Sequence, residues 1–110
     1  MKIKIGKKTI EADVADNTVK RAMGLSLCEK KNMFFPMPYK SKWSLWMFMV
    51  KYPIQMIFID ENKVIVDIKK GVPITSDPKT WKTYSPEKSC KYILETPFNI
   101  KMKIGDKLCW

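Results

Sequence analysis

The residues best suited to bind a ligand lie in one stretch interrupted by prolines, residues 71–89. It carries Trp81 and Tyr84 among Lys79 and Lys82. Flat aromatic faces stack on bases and ammonium groups attract anions, so this mixture is typical of sites for single-stranded nucleic acid or another anionic ligand. The alternative is that both rings pack inward beneath the loop and close one end of the core. The exposure of the two rings distinguishes these interpretations.

Three further positions complete the predicted ligand-binding set. Trp46 lies in an apolar run earlier in the chain, and Gln55 and Lys69 are expected to face each other on the two strands of a hairpin. The whole predicted set is Trp46, Gln55, Lys69, Lys79, Trp81, Lys82 and Tyr84.

The composition excludes several kinds of catalytic site. The 110 residues contain no histidine, which is the commonest general base and metal ligand near neutral pH. The three cysteines, Cys28, Cys90 and Cys109, are too far apart for a paired metal-ligand motif, and free thiols are expected. The eight methionines could supply thioether ligands to Cu(I), but methionine more often fills gaps in a core. We therefore predict no metal and no cofactor.

The acidic residues leave an enzymatic alternative open. Asp60, Asp67 and Glu95 are expected on a hairpin tip, a strand and a strand end. Folding can bring such carboxylates together as an acid–base pair, although their spacing along the chain does not predict one. No catalytic residue is assigned on this basis.

The net charge of +10 predicts an attraction for anions that weakens as salt is added. Lysine supplies almost all of the positive charge, because Arg21 is the only arginine. Lysine lacks the planar fork with which arginine reads guanine, so any nucleic acid would be bound without sequence specificity. Lysine enrichment also accompanies adaptation to high temperature, an explanation that needs no ligand.

The elements that would position these residues are mainly strands. The predicted strands are residues 2–5, 9–14, 33–35, 43–50, 54–59, 64–70, 90–95 and 107–110. A short helix is predicted from Asn17 or Thr18 to Gly24, and a further helical turn around residues 98–102. Residues 43–50 are apolar on both alternating faces, which predicts a central strand buried on two sides or covered by a partner.

These elements predict one domain over residues 1–110 with a mainly β, β-rich α+β fold. The expected architecture is a partly closed antiparallel β-barrel with one short helix and a long loop near one opening. The longest apolar run is far shorter than the ~20 residues that cross a bilayer, and the N-terminus lacks the apolar core of a secretory signal. We therefore expect a cytoplasmic monomer without membrane contact.

Five separated blocks occur in an order that resembles domain-of-unknown-function family 192. They are D-N-T-V-K-R-A-M-G-L (16–25), N-M-F-F-P (32–36), W-M-F-M-V-K-Y-P-I-Q-M-I-F-I-D (46–60), Y-I-L-E (92–95) and I-G-D (104–106). Loop residues 77–86 resemble the variant of archaeal members. The resemblance implies a compact β-barrel-like fold with a short helix, in bacterial and archaeal proteins of which some are exported or membrane-anchored. It implies no known reaction.

One position departs from the family pattern. Where the pattern has proline, an aliphatic residue and aspartate, this chain has Pro53, Ile54 and Gln55. A mechanism that needs a carboxylate base there is not expected in this protein. Gln55 would instead replace a pairing between the family aspartate and a basic neighbour such as Lys69 by a hydrogen bond, and an exposed pair contributes only ~0–1 kcal/mol.

The preferred function is that of a non-catalytic binding module for an anionic ligand, with nucleic acid or an acidic glycan as the leading candidates. One alternative is a small enzyme that uses the carboxylates named above. Another is an accessory subunit that binds a protein partner through residues 43–50, which would leave an apolar patch exposed on the isolated chain.

Overall fold

The computed structural model describes residues 1–17, 30–47 and 49–110. The strands in these ranges are β1 (Lys2–Ile5), β2 (Lys8–Glu11), β3 (Asp13–Val14), β4 (Met33–Ser41), β5 (Leu45–Trp46), β6 (Ile54–Ile59), β7 (Ile65–Gly71), β8 (Thr83–Tyr84), β9 (Cys90–Thr96) and β10 (Leu108–Cys109). The described residues form one helical segment, a single 3₁₀ turn at Pro78–Thr80. The fold is therefore mainly β with almost no helix. The predicted short helix lies outside the described residues.

The strands form three sheets. The largest has the order β3-β4-β9-β6-β7, with all pairs antiparallel except β3 and β4. A three-stranded sheet has the order β10-β1-β2, and β5 pairs with β8 as a two-stranded ribbon. Among the described strands no sheet closes on itself, so the partly closed barrel stays a prediction.

Both faces of the five-stranded sheet are covered. Because side chains alternate along a strand, β4, β6 and β9 each contribute to two cores. The first core lies beneath the β5–β8 ribbon and includes Met33, Phe35, Met47, Met56, Phe58, Tyr84 and Ile93. The second core lies between the five-stranded and three-stranded sheets and includes Ile3, Ile5, Phe34, Ile57, Ile59, Leu94 and Leu108. Each of these large apolar side chains contributes about 1.5–3 kcal/mol when fully buried.

The prediction of a central strand over residues 43–50 is wrong. Only Leu45–Trp46 is a strand, and it pairs with β8 at the periphery. The chain then turns, because the Val50 N–H donates to the Met47 carbonyl at 3.1 Å and Met49 has a left-handed φ of 61°. Met47 and Val50 enter the first core, whereas Trp46 and Met49 are exposed. The apolar run is therefore divided between core and surface.

The predicted pairing of Gln55 with Lys69 is also wrong. Gln55 lies opposite Lys70, while Lys69 lies opposite Met56. The cause is an irregularity in the hairpin, where the register shifts between Phe58 and Ile59. An extra residue on one strand moves every later pair by one position.

Two smaller features differ from the sequence-based expectation. Strand β4 continues through Pro36 and Pro38 to Ser41, with a shift of register between Pro36 and Ser41 at which proline is tolerated. Residues 98–102 form no helical turn, and the chain there runs along the edge of the second core with Ile100 buried.

No helix in the described ranges has the length and apolar character needed to span a membrane.

Candidate ligand-binding site

The two-stranded ribbon sorts the loop residues into inward and outward positions. Leu45 pairs with Tyr84, and Trp46 pairs with Thr83. Tyr84 is 8% exposed and belongs to the first core. Since neighbouring residues on a strand point to opposite faces, Trp46 and Thr83 point away from that core.

Trp46 and Trp81 line one hollow on this outward face. The hollow has a volume of about 700 Å³, and Ile74, Lys82 and Thr83 complete its wall. Trp46 is 55% exposed and Trp81 is 62% exposed. We call this feature the tryptophan hollow. It brings together two indole faces that lie 35 residues apart in the sequence.

Hydrogen bonds within the loop hold the Trp81 side chain in place. Its indole Nε1 donates to the Thr75 carbonyl at 2.7 Å. The Thr75 N–H donates to Thr80 Oγ1 at 2.8 Å, and Thr80 Oγ1 donates to the Asp77 carbonyl at 2.7 Å. The polar edge of the indole is therefore satisfied by the protein while the ring remains exposed. A side chain fixed in this way loses little conformational entropy when a ligand stacks on it.

Tyr84 packs inward, as in the alternative in which the loop rings close one end of the core. Its hydroxyl accepts a hydrogen bond from the Val72 N–H at 3.2 Å, and its ring packs in the first core. Lys82 Nζ lies 5.3 Å from the centre of this ring, within the range of a cation–π contact. Tyr84 therefore contacts the side chain of a lysine in the hollow wall, and does not itself line the hollow. Lys79 is exposed on the adjacent 3₁₀ turn and is likewise not part of the wall.

Gln55 and Lys69 lie at a different place. Both line another hollow, of about 600 Å³, which shares no lining residue with the tryptophan hollow. Gln55 Nε2 donates to the carbonyls of Phe98 and Ile100 at 3.1 and 3.3 Å. Of the seven predicted ligand-binding residues, Trp46, Trp81 and Lys82 thus line the tryptophan hollow and Gln55 and Lys69 line the other, while Lys79 and Tyr84 line neither.

Lys69 is part of a small ion-pair group at the end of the long loop. Its Nζ lies 3.5 Å from Asp67 Oδ2 and 3.4 Å from Glu87 Oε1. Asp67 is buried, and it accepts hydrogen bonds from the N–H groups of Ile68 and Glu87, both at 2.9 Å. Asp67 therefore anchors the loop to β7.

Glu95 is a buried acid with a strongly raised pKa. It lies on β9, opposite Met33 of β4 and Met56 of β6, on the face of the first core. Burial raises the pKa of its carboxyl from an ordinary 4.5 to about 8, so the group is mainly protonated at neutral pH.

The three carboxylates considered for catalysis do not form a pair. Strand β6 separates Asp67 on β7 from Glu95 on β9. Asp60 accepts hydrogen bonds from the N–H groups of Asn62 and Val64 at 2.9 and 3.0 Å, within its own turn. Within residues 1–17, 30–47 and 49–110, no group of three or more acidic or cysteine side chains is placed to hold a metal ion.

Most of the residues that line the second hollow are outside the predicted ligand-binding set, among them Lys30, Lys70, Phe98 and Asn99. Their arrangement depends on the bulged register of β6 and β7 and on the course of the chain after β9. The one usable signal was the alternation along β6, which places Gln55 on the face opposite Met56.

The fold and these surfaces define a mainly β protein that presents its candidate ligand-binding residues on strand ends and on one long loop. The chain belongs to the DUF192 family (Uncharacterized ACR), whose family model matches residues 1–110. The predicted family resemblance is thereby confirmed.

Archaeal relatives support the same assignment. A UPF0127 protein of Pyrococcus abyssi is 32% identical over 108 residues, which cover 91% of this chain and 86% of that protein. A UPF0127 protein of Thermococcus sibiricus is 32% identical over 105 residues, which cover 88% of this chain and 64% of that longer protein.

Solved structures share the fold. A protein of unknown function from Novosphingobium aromaticivorans superposes with a TM-score of 0.83 at 17% identity, over 99% of this chain and 84% of that one. A Sinorhizobium meliloti protein described as a candidate transcription regulator gives a TM-score of 0.80 at 18% identity, over 97% of this chain and 88% of that one. At such identities the likeness concerns the fold alone.

Proposed function

We propose that this protein is a non-catalytic binding module that holds an anionic ligand with flat faces in the tryptophan hollow. The observation that carries the proposal is the presence of two exposed indoles, Trp46 and Trp81, in the wall of one hollow beside Lys82. An exposed pair of large aromatic rings is costly to leave in water and is typical of a recognition surface.

The energetics of the hollow favour such a ligand. Stacking of a base on an aromatic side chain contributes about 1–3 kcal/mol. Lys82 adds a positive charge, and none of the residues that line the hollow is acidic. The net charge of +10 adds a longer-range attraction for polyanions.

Single-stranded nucleic acid and acidic glycans are the two ligand types to be tested. Both combine flat faces with repeated negative charge. The description of the Sinorhizobium meliloti protein as a candidate transcription regulator is a reason to test nucleic acid first. Lys82 is the one cation among the described residues of the wall, so binding would follow the phosphate backbone and stacking with little base specificity.

The test is a titration of a fluorescein-labelled oligothymidine of about ten nucleotides, followed by polarisation at low salt, with a heparin fragment as competitor. The variant Trp81→Ala is expected to weaken binding about tenfold, and the double variant with Trp46→Ala more strongly. Tyr39→Ala is a matched control, because Tyr39 is an exposed aromatic residue outside the hollow. Raising the salt from about 50 to about 200 mM should lower the affinity.

The proposal fails if neither polymer binds at low salt, or if the double tryptophan variant binds as well as Tyr39→Ala. If binding is lost in the tryptophan variants but does not change with salt, the hollow is a stacking surface, and the requirement for an anionic ligand is wrong.

We also propose that the two larger sheets form a partly closed barrel around the second core, in a cytoplasmic monomer of one domain. Backbone contacts between residues 63–65, where β7 begins, and residues 106–108, where β10 begins, support the barrel. The Ile65 N–H donates to the Asp106 carbonyl at 2.9 Å, the Leu108 N–H donates to the Lys63 carbonyl at 2.8 Å, and Val64 forms a bridge with Lys107. Slow exchange of these two amide protons would support closure, and gel filtration would measure the oligomeric state.

A further inference from the structure

A polar row of side chains forms the floor of the second hollow. Across β9, β6 and β7, Thr96, Gln55 and Lys70 lie side by side. The preceding row on the same face is Leu94, Ile57 and Ile68, which belongs to or packs against the second core. The sheet surface therefore changes from apolar to polar where the hollow begins. We call this feature the lysine hollow.

Phe98 is held in a defined position at the rim of the lysine hollow. Its N–H donates to Thr96 Oγ1 at 3.2 Å, and its carbonyl accepts a hydrogen bond from Gln55 Nε2 at 3.1 Å. The same carbonyl accepts from the Ile100 N–H at 2.9 Å. The phenyl ring is nevertheless 46% exposed. The hydrogen bonds fix the backbone of Phe98, so the turn presents the exposed ring to the hollow.

The charge around the hollow is positive. Lys30, Lys69 and Lys70 line it, and no carboxylate of the described residues does. Lys69 is balanced by Asp67 and Glu87. Lys70 is exposed and forms no ion pair with the described residues, and Lys30 Nζ lies 5.8 Å from the centre of the Tyr52 ring. Lys70 and Lys30 can therefore neutralise a doubly charged group.

We infer that the lysine hollow binds a mononucleotide or a similar phosphorylated heteroaromatic compound. The ring stacks on Phe98 and the phosphate is held by Lys70 and Lys30. Gln55 Nε2 is committed to two backbone carbonyls, which leaves Gln55 Oε1 to accept a hydrogen bond from the ring edge, and the exposed amide of Asn99 offers both a donor and an acceptor. A volume of about 600 Å³ is in the range of sites for ligands of this size.

This inference is independent of the function proposed for the tryptophan hollow. It concerns a small ligand, and it uses residues that do not line the other surface. Single substitutions can therefore separate the two sites.

The test uses adenosine monophosphate, adenosine and inorganic phosphate, each titrated into ¹⁵N-labelled protein at low salt. Adenosine monophosphate should bind more tightly than either part alone, and it should shift the signals of the Phe98 amide and the Gln55 side-chain amide. Lys70→Gln should weaken binding about tenfold, because one charge-assisted contact with phosphate is lost. Phe98→Leu should weaken it several-fold, because the ring is lost while apolar volume is kept.

Two variants serve as controls. Lys8→Gln removes an exposed lysine of β2 that does not line the hollow, and Trp81→Ala alters only the tryptophan hollow. Both should bind adenosine monophosphate like the wild type. The inference is overturned if adenosine monophosphate does not bind at millimolar concentration, if Lys70→Gln and Lys8→Gln weaken binding equally, or if Trp81→Ala abolishes it. Folding of each variant is checked from its dispersed amide spectrum.

Discussion

The backbone N–H of Glu87 donates a hydrogen bond of 2.9 Å to the buried carboxylate of Asp67, and this bond ties the end of the long loop to β7. At the other end of the loop, the Val72 N–H donates to the Tyr84 hydroxyl at 3.2 Å. The loop that carries Trp81 is therefore fixed near both ends.

Replacing Asp67 by alanine should destabilise the protein and loosen the loop. The substitution removes the acceptor of two backbone N–H groups and one partner of Lys69. We expect a loss of about 1–3 kcal/mol in the free energy of unfolding, measured by urea denaturation. Glu61→Ala is the control, because Glu61 is exposed and its ion pair with Lys40 lies at the surface. Equal losses in the two variants would contradict the anchoring role of Asp67.

The stability of the protein should fall as the pH rises from about 5 to about 9. Burial raises the pKa of Glu95 from 4.5 to about 8, so the folded state holds the proton more tightly than the unfolded state. The resulting stabilisation is complete below pH 4.5 and is lost as the pH rises through the folded pKa. A shift of this size corresponds to a few kcal/mol.

Glu95→Gln tests this dependence, because glutamine resembles the protonated carboxyl but cannot ionise. Urea unfolding of both proteins at pH 5, 7 and 9 should show a slope for the wild type that is absent in the variant. Parallel profiles for the two proteins would show that Glu95 is not the responsible group.

The thiols of Cys90 and Cys109 should differ strongly in reactivity. Cys90 is fully buried, and burial raises its pKa to about 11, an effect that a hydrogen bond with the backbone of Trp43 partly offsets. Cys109 is exposed. In a Cys28→Ser background, a thiol reagent should label one cysteine in the folded protein and two in urea. Cys109→Ser in the same background should abolish labelling of the folded protein, and rapid modification of Cys90 without urea would contradict the burial.

Gly71→Ala should destabilise the first core. A Cβ atom at this position would lie 2.6 Å from Met47 Sδ and 2.8 Å from Met56 Cε, so both methionines must move. Overpacking of this kind costs about 1–3 kcal/mol, measured by thermal or urea unfolding. Met56→Ala is itself destabilising because Met56 is fully buried, but the double variant should lose less than the sum of the two single losses, since one of the two clashing groups is gone. If the two substitutions simply add their losses, Gly71 is not in the contact that the structure shows.

The strands with regular alternation could be read from the sequence. Residues 2–5, 54–59 and 90–95 alternate apolar and polar positions or lie between clear turn signals, and all three occur nearly as predicted. Local patterns of this kind determine which side of a strand is buried.

The tryptophan hollow could not be predicted as a unit. Trp46 and Trp81 meet because two-residue strands pair over a separation of nearly 40 residues, and so short a pairing has no periodic signal. The misplaced run at residues 43–50 has the same cause. The apolar composition correctly indicated that residues of this run, such as Met47 and Val50, enter the core. The turn between these two residues depends on tertiary packing, which the composition does not reveal.

The neighbours of Gln55 were missed for a different reason. One irregularity between Phe58 and Ile59 displaces the hairpin register, so Gln55 faces Lys70 and the carbonyl of Phe98. A single inserted residue is invisible in composition and changes every partner beyond it.

The central position of β9 means that the largest sheet forms late during synthesis. β9 lies between β4 and β6, yet residues 90–96 are made after both of those strands and after the long loop. Until the ribosome has released this segment, the two halves of the largest sheet have no shared hydrogen-bonded neighbour, and their apolar faces have nothing to join them. The largest sheet is therefore completed only when β9 pairs with β4 and β6 at the end of synthesis. A chain that ends before Cys90 would leave the edges of β4 and β6 unpaired and prone to pair with another chain.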